Sequence, residues 1–301
     1  MSRLAYLGTP DLSVPPLRAL AQAGHEIALC VTRPDRRRGR GSGTGPSPVK
    51  AAARELGIPV THDMEEVAEA QVELAVVVAF GRIIPVRLLN RVPMVNLHFS
   101  LLPRWRGAAP LERAILSGDH ETGVCLMKVE EGLDTGPVYV CRATPLDDDI
   151  TLEVLRARLV EIGCDILVDA LAEGVDRLPV PEPQRGEPTI ALKITREDLA
   201  LDWTEPARQL HRIVRLGRAW TTFRGKRLTV LDASIADAHA VERYGAEVDR
   251  NSPGLLAGAA VSTADGVLVL RRVQPESRSP MSADEWLRGV RPSDGERLGS
   301  E

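Results

Sequence analysis

The sequence predicts an α/β domain built on a mostly parallel sheet, followed by a smaller domain that is a β-barrel or sandwich. Three observations lead there. Short apolar runs alternate with helical patterns through the first half of the chain. Leu74–Ala79 (LAVVVA) is continuously apolar, as a strand covered on both faces of a parallel sheet must be. After a proline-rich stretch, the pattern changes to short strands separated by Gly, Pro and Asp-Gly turns. A chain of 301 residues is long enough for two domains. The boundaries fall at 1–177 for the first, 178–203 for a linker and 204–301 for the second.

Each element has its own reason. Leu4–Leu7 reads as a strand that stops at the turn Gly8-Thr9-Pro10-Asp11. Val14–Ala23 repeats at helical spacing up to Gly24, and Ile27–Thr32 is a second strand. Pro48–Leu56 is a helix closed by Gly57, and Ile58–Val60 opens a third strand. Val95–His98 is a short strand before a long loop and a helix around Pro110–Leu116. Val124–Val129 and Val138–Thr144 are neighbouring strands, and Thr151–Leu171 is a long helix. Leu178–Pro188 (LPVPEPQRGEP) reads as an extended linker. Beyond it come a helix, Glu205–Leu216, and strands at Leu228–Leu231, Gly254–Ala257, Ala260–Ser262 and Val267–Arg272. The tail, Pro292–Glu301, is expected to fray.

Composition narrows the function. With 38 Lys+Arg against 42 Asp+Glu, the net charge of −4 excludes coating of nucleic acid by bulk charge, though not a local basic patch. Only four Trp, three Tyr and three Phe are present, too few for a stacking platform. Cys30, Cys125, Cys141 and Cys164 form no CxxC pair, so zinc and thioredoxin-type chemistry lack their usual spacing. The expectation is reduced, mostly buried thiols in a cytoplasmic protein without metal. The N-terminus lacks the apolar core and cleavage site of a signal peptide. No apolar stretch approaches the ~20 residues of a membrane span.

The most unusual segment is Asn96–Gly107, NLHFSLLPRWRG. Asn96 and His98 stand two residues apart at a strand end, so both side chains point to one face. Strand ends of open α/β sheets are where ligands bind. A second polar cluster, Glu131-Gly132-Leu133-Asp134-Thr135-Gly136, places a carboxylate between glycines. Amide, imidazole and carboxylate together offer an oxyanion donor, a proton carrier and a group that orients the carrier. A lone His near a strand end is nonetheless more often a satisfied structural residue, and an Asp between glycines is as readily a turn residue. Spacing alone leaves both readings open.

The combination of these motifs decides more. Asn-x-His-x-Ser-Leu-Leu-Pro, then Arg-x-Arg-Gly-Ala-Ala-Pro, Glu-Thr-Gly-Val and Gly-Leu-Asp-Thr-Gly, resembles the pattern of formyltransferases that use 10-formyltetrahydrofolate. Gly8-Thr9-Pro10-Asp11, Arg33-Pro34-Asp35, Pro46-Ser47-Pro48-Val49-Lys50, Asp202-Trp203 and Ala219-Trp220-Thr221-Thr222-Phe223 extend the resemblance nearly end to end. It implies a Rossmann-like formyltransferase domain joined to a C-terminal barrel of OB type. It also implies a catalytic trio of Asn96, His98 and Asp134, and a folate-holding loop at Ser100, Leu101, Leu102 and Pro103. The implied donor is 10-formyltetrahydrofolate and the implied acceptor is methionine on initiator methionyl-tRNA. The protein would be a monomer, with no metal and no membrane partner.

Arg33–Lys50 holds Arg33, Arg36, Arg37, Arg38, Arg40 and Lys50 against the single Asp35. Gly39, Gly41, Gly43 and Gly45 do not satisfy GxGxxG, which excludes a dinucleotide site. On charge alone this is a solvated loop, whereas the resemblance makes it a phosphate-binding arm for the tRNA. Arg208, Arg212 and Arg215 fall at helical spacing and are expected to share a face that meets the same ligand. Two departures stand out: Phe99 occupies a position where the family carries a small residue, and Arg215–Trp220 is shortened. A formyltransferase acting on an amino-sugar nucleotide is the alternative, against which the basic loop argues. A hydrolase releasing formate, or a non-catalytic RNA-binding module, explains less of the pattern.

Overall fold

A computed structural model describes residues 1–37, 44–237 and 252–299. The chain forms two units. One comprises Met1–Leu111, Glu121–Pro145 and Leu155–Leu192, and the other Glu112–His120, Leu146–Val154 and Lys193–Glu301.

In the first unit the alternation of the sequence becomes β1 (Arg3–Gly8), α1 (Val14–Gln22), β2 (Glu26–Val31), the short hairpin β3 (Arg36–Arg37) and β4 (Thr44–Gly45), and α2 (Pro48–Glu55). Then follow β5 (Val60–Thr61), β6 (Leu74–Val78), α3 (Val86–Leu89), β7 (Met94–His98), β8 (Arg106–Gly107), α4 (Pro110–Ser117), β9 (Glu121–Lys128), β10 (Val138–Pro145), α5 (Leu152–Leu171) and β11 (Ile190–Ala191), of which most of α4 and the first turn of α5 belong to the second unit. The main sheet has the order β10-β9-β7-β6-β1-β2-β5. From β7 to β5 its pairs are parallel, and β9 and β10 extend it antiparallel. Every residue of β6 is buried, as its unbroken apolar run requires. The Ser47-Pro48 pair starts α2 as its chemistry dictates: the Ser47 hydroxyl accepts from the Lys50 N–H at 3.0 Å. Helix α5 lies close to β7 because Gly163 has no side chain, since a Cβ there would sit 2.6 Å from Leu97 Cδ2.

Two expectations change here. The proline-rich stretch is not a free linker, because its backbone groups are paired. Glu182 and Val138 exchange N–H···O bonds of 2.8 Å, and β11 pairs in parallel with β8. Residues 182–191 therefore form a strap on the first unit. The cysteines are not all reduced either: Cys125 and Cys141 form a disulfide, while Cys30 and Cys164 stay free. They are direct partners across β9 and β10, with Cα atoms 4.1 Å apart. Burial pushes the Cys30 thiol up to about 12 and the Cys164 thiol up to about 11.

The second unit is an antiparallel sheet of β12 (Ala219–Phe223), β13 (Lys226–Ile235), β14 (Leu256–Ala257), β15 (Ala260–Ser262), β16 (Val267–Pro275) and β17 (Met281–Ser282). Helix α6 (Ala207–Val214) and a helix the sequence pattern did not reveal, α7 (Ala283–Val290), accompany it. Helix α7 begins at a capping box in which Ser282 and Glu285 satisfy each other's backbone N–H. The core gathers Trp203, Leu210, Val214, Phe223, Leu268 and Trp286, with Phe223 and Trp286 edge to face at 5.1 Å. The tail does not fray through Gly299. Leu298 is buried, its N–H reaches Gly254 O at 2.8 Å, and the Gly299 N–H reaches Thr222 O at 2.9 Å. The shortened Arg215–Trp220 segment is a tight turn from α6 into β12, closed by bonds from the Leu216 and Gly217 N–H groups to Ile213 O and Val214 O.

Two measurements follow from this architecture. Alkylation of denatured, unreduced protein is expected to label Cys30 and Cys164 only, and four labels would remove the disulfide. The second concerns His211, which is buried in the second unit. Burial holds its imidazole below the ordinary value, reinforced by Arg215 and opposed by Asp149 and Asp232. The unfolded chain therefore binds this proton more readily. The stability the neutral form contributes is complete above the unfolded value of ~6.5 and is lost as pH falls through the folded value. Between about pH 7.5 and about pH 5.5, calorimetry should show a smaller drop in Tm for His211→Gln than for the wild type. Identical slopes would remove the assignment.

Candidate active site

Strand β7 delivers Asn96 and His98 to the carboxyl end of the parallel part of the sheet, where Asn96 is half-buried and His98 nearly fully buried. The register places His98 opposite Cys125 and Asn96 opposite Met127 on β9. The two side chains share one face, as their spacing required. Phe99, the next residue, is buried at 6% exposure.

The third member arrives from the loop between β9 and β10. Asp134 adopts φ +51°, a left-handed conformation that Asp tolerates better than most residues. Its Oδ2 accepts the Gly107 N–H at 2.8 Å and stands 3.6 Å from His98 Nδ1, while Oδ1 accepts from the Asn96 amide at 3.4 Å. The other imidazole nitrogen, Nε2, donates to the Trp105 carbonyl at 2.9 Å, and this bond fixes a proton on Nε2. Nδ1 in turn faces the Asp134 carboxylate, so the two contacts together set the orientation of the ring. An amide has two N–H donors, and the Asp134 contact uses one of those of Asn96.

The loop carrying Trp105 is held from several directions. Trp105 has φ +60°, a strained conformation for an aromatic residue. Its N–H donates to Thr189 Oγ1 at 2.8 Å, and the Arg106 N–H donates to Thr189 O at 2.9 Å. Gly107 has φ +118°, and a Cβ there would stand 2.9 Å from Ala191 O. In the expected folate loop, the buried Ser100 hydroxyl donates to Arg104 O at 2.6 Å, and Pro103 O accepts from the Thr189 N–H at 3.3 Å. Leu101, Leu102 and Pro103 remain half-exposed beside it.

Gln184 and Thr189 were invisible to sequence reasoning because they lie in or just after the proline-rich segment, far along the chain from the residues they hold. The Gln184 amide donates to Asp134 O and Gly136 O, each at 2.8 Å. Its carbonyl accepts from Arg106 Nε at 3.0 Å and Nη2 at 2.7 Å. The one available signal was the short Thr189-Ile190-Ala191 run following the prolines.

The Formyl transferase family model matches residues 2–171, and the model for the Formyl transferase C-terminal domain matches residues 193–291. The chain belongs to the formyl transferase family. It is 39% identical to a methionyl-tRNA formyltransferase of Cereibacter sphaeroides, with 98% of each chain covered. It is 41% identical to one of a Jannaschia species, covering 97% of this chain and 98% of that one. Among solved structures, a methionyl-tRNA formyltransferase from Clostridium thermocellum is 17% identical, with TM-score 0.56 over 79% of this chain and 95% of its own. An N-formyltransferase from Helicobacter canadensis, solved with folinic acid and dTDP-3-aminofucose, gives TM-score 0.67 at 17% identity over 90% of this chain and 99% of its own. At that identity the two structures speak for the fold.

The basic residues separate into several groups. Lys50 is not a free cation: its ammonium contacts both oxygens of Asp35, at 2.7 and 2.9 Å, and holds that carboxyl below its ordinary range. Arg215 does not share a solvent face with Arg208. It is buried at 5% exposure, its guanidinium donates to Ile150 O and Asp147 O, and burial lowers its pKa. Arg208 is exposed, and Arg212 donates to Ser117 O and Gln209 Oε1. Arg33 packs its guanidinium over Gly81. The backbone of Arg36 and Arg37 pairs with Thr44 and Gly45, whereas the side chains of these two and the whole of Arg38 and Arg40 lie outside the described residues.

Gly107→Ala tests how tightly this frame is set. The left-handed backbone and the Ala191 carbonyl together oppose a Cβ, so a loss of about 1–3 kcal/mol of stability is expected. Urea denaturation reads it, and an unchanged midpoint would show that the β8–β11 pairing tolerates a side chain.

Proposed function

We propose that this protein transfers the formyl group of 10-formyltetrahydrofolate to the α-amino group of methionine on initiator methionyl-tRNA. The observation that carries the reading is the intact Asn96, His98 and Asp134 cluster in a chain about 40% identical, nearly end to end, to proteins named methionyl-tRNA formyltransferase.

The amine nitrogen attacks the formyl carbon. A carbon–nitrogen bond forms to methionine, and the bond between that carbon and the folate nitrogen breaks. Negative charge develops on the formyl oxygen, where Asn96 supplies a hydrogen bond from the N–H that Asp134 leaves unused. The proton released by the amine passes to the His98–Asp134 pair, whose carboxylate orients the ring, and from there to the departing folate nitrogen, which leaves as the neutral amine. The folate is held by the turn Ser100–Pro103. Ser100 contributes the shape of that turn, because its hydroxyl is occupied by Arg104 O. The tRNA backbone is met by the arginines of the 33–40 stretch and by Arg208, with Arg212 beside it. Lys50 and Arg215 support the structure behind them.

The test is transfer of labelled formyl to initiator methionyl-tRNA, with methionine-charged elongator tRNA and an amino-sugar nucleotide as controls. Preference for the initiator is expected. Transfer to the sugar alone would replace the acceptor while retaining the fold and the trio. In the same assay Asn96→Ala should slow turnover by about 10²–10³-fold, as loss of an oxyanion donor does. His98→Ala and Asp134→Asn should each remove most turnover while the circular dichroism stays native. Substantial residual turnover in either would overturn the mechanism.

A further inference from the structure

We infer that Gln184, on the strap of residues 182–191, is a positioning residue for the transfer reaction: it sets the backbone of the Asp134 loop and thereby aims the Asp134 carboxylate at His98. The inference rests on the transfer reading above, and it assigns a catalytic consequence to a segment whose sequence looks like a spacer.

The argument begins with the amide itself. Gln184 Nε2 has two N–H donors, and both are used, one on Asp134 O and one on Gly136 O. Gln184 Oε1 accepts two donors from the Arg106 guanidinium. A flipped amide would set its NH₂ against the guanidinium and its carbonyl against two carbonyls, losing all four bonds, so its orientation is determined. The side chain is thus a fixed bracket on the peptide unit that leaves Asp134 and on the one two residues further on.

Those peptide units matter because Asp134 sits at φ +51°. A left-handed residue has an accessible alternative in the ordinary regions, and rotation toward it would swing the carboxylate away from its partners. The Asp134 side chain has contacts of its own, to the Gly107 N–H and Asn96, but these hold the carboxylate rather than the main chain. Gln184 holds the main chain. The same residue also ties Arg106, the neighbour of Gly107, so the donor N–H and the accepting carboxylate are registered by one amide. Thr189 completes the strap by receiving the Trp105 N–H, whose carbonyl in turn orients His98. Displacement of a reacting group by about 1 Å can cost about 10²-fold in rate, so a bracket of this kind acts on kcat rather than on substrate affinity.

The test uses Gln184→Ala and Gln184→Glu, each alone and combined with Asp134→Asn, in the formyl-transfer assay with initiator methionyl-tRNA. Glu keeps the acceptor for Arg106 but turns an oxygen toward two carbonyls. Both variants should lose about tenfold to about 10²-fold in kcat. Both KM values should move by no more than about threefold, since uniform binding is untouched. In the Asp134→Asn background, read by single turnover with excess enzyme, neither substitution should slow the reaction further, because the group being aimed is gone. Wild-type kcat in both variants, rescue of kcat by Glu, an effect confined to KM, or a full multiplicative loss in the Asp134→Asn background would each overturn the inference. Thermal midpoints identify a variant that fails to fold, and if Gln184→Ala fails, Gln184→Glu carries the comparison. Full activity in Asp134→Asn alone would instead sink the catalytic reading. Loss in Asp134→Asn with wild-type kcat in both Gln184 variants would sink only the role of the strap.

Discussion

The site depends on one mostly buried carboxylate. Asp134 is 15% exposed, and a charged group with so little water must find its partners in the protein. It finds three, and they come from β7, from the Gly107 backbone and from the imidazole of His98. Each partner is useful only if its own segment is fixed. The Gly107 N–H is aimed by the pairing of β8 with β11, His98 is held from its far side by Trp105 O, and Asn96 rides on a strand in the interior of the sheet. The network is therefore closed, so a fault in one member leaves a polar group unpaired in another.

The sheet makes this closure possible. Five parallel strands point their carboxyl ends the same way, β9 runs antiparallel beside β7, and β10 runs antiparallel to β9. The register sets Lys128, the end of β9, opposite Val95 near the start of β7, and the loop that follows carries Asp134 back to Asn96 and His98. Asp134 thus reaches His98 across 36 residues of sequence (134 − 98) without a long excursion. The approach of α5 at Gly163 covers β7 from behind, which keeps Leu97 buried and leaves its neighbours Asn96 and His98 to the opposite face.

Much of this was legible in the sequence, for a reason particular to each element. The run LAVVVA could be a central strand because no other environment accepts it. The Asn-x-His spacing gave a shared face because strand periodicity is two. What was not legible depends on pairing at a distance. Cys125 and Cys141 look unrelated until the register of β9 and β10 is known, although the two strands were themselves foreseen. LPVPEPQRGEP has the composition of a spacer, and nothing local says that its backbone pairs with Val138 and that Gln184 meets Asp134. Prolines fixed its extended shape; the distant strand edge decided its place. The tail was misread in the same way, since its partners, Gly254 and Thr222, lie well before it in the chain.

The basic residues illustrate why charge counts alone do not define a binding surface. Lys50 and Arg215 belong to the two most cationic stretches of an acidic chain, yet each is buried and each satisfies acceptors of its own unit. A guanidinium removed from water must replace its lost hydration, and carbonyls such as Ile150 O and Asp147 O supply that at a fixed geometry. Exposure therefore sorts these cations before sign does. Those that keep their water, Arg208 among them, are the ones whose removal should change the salt dependence of binding. Removal of Lys50 or Arg215 should register as a change in stability.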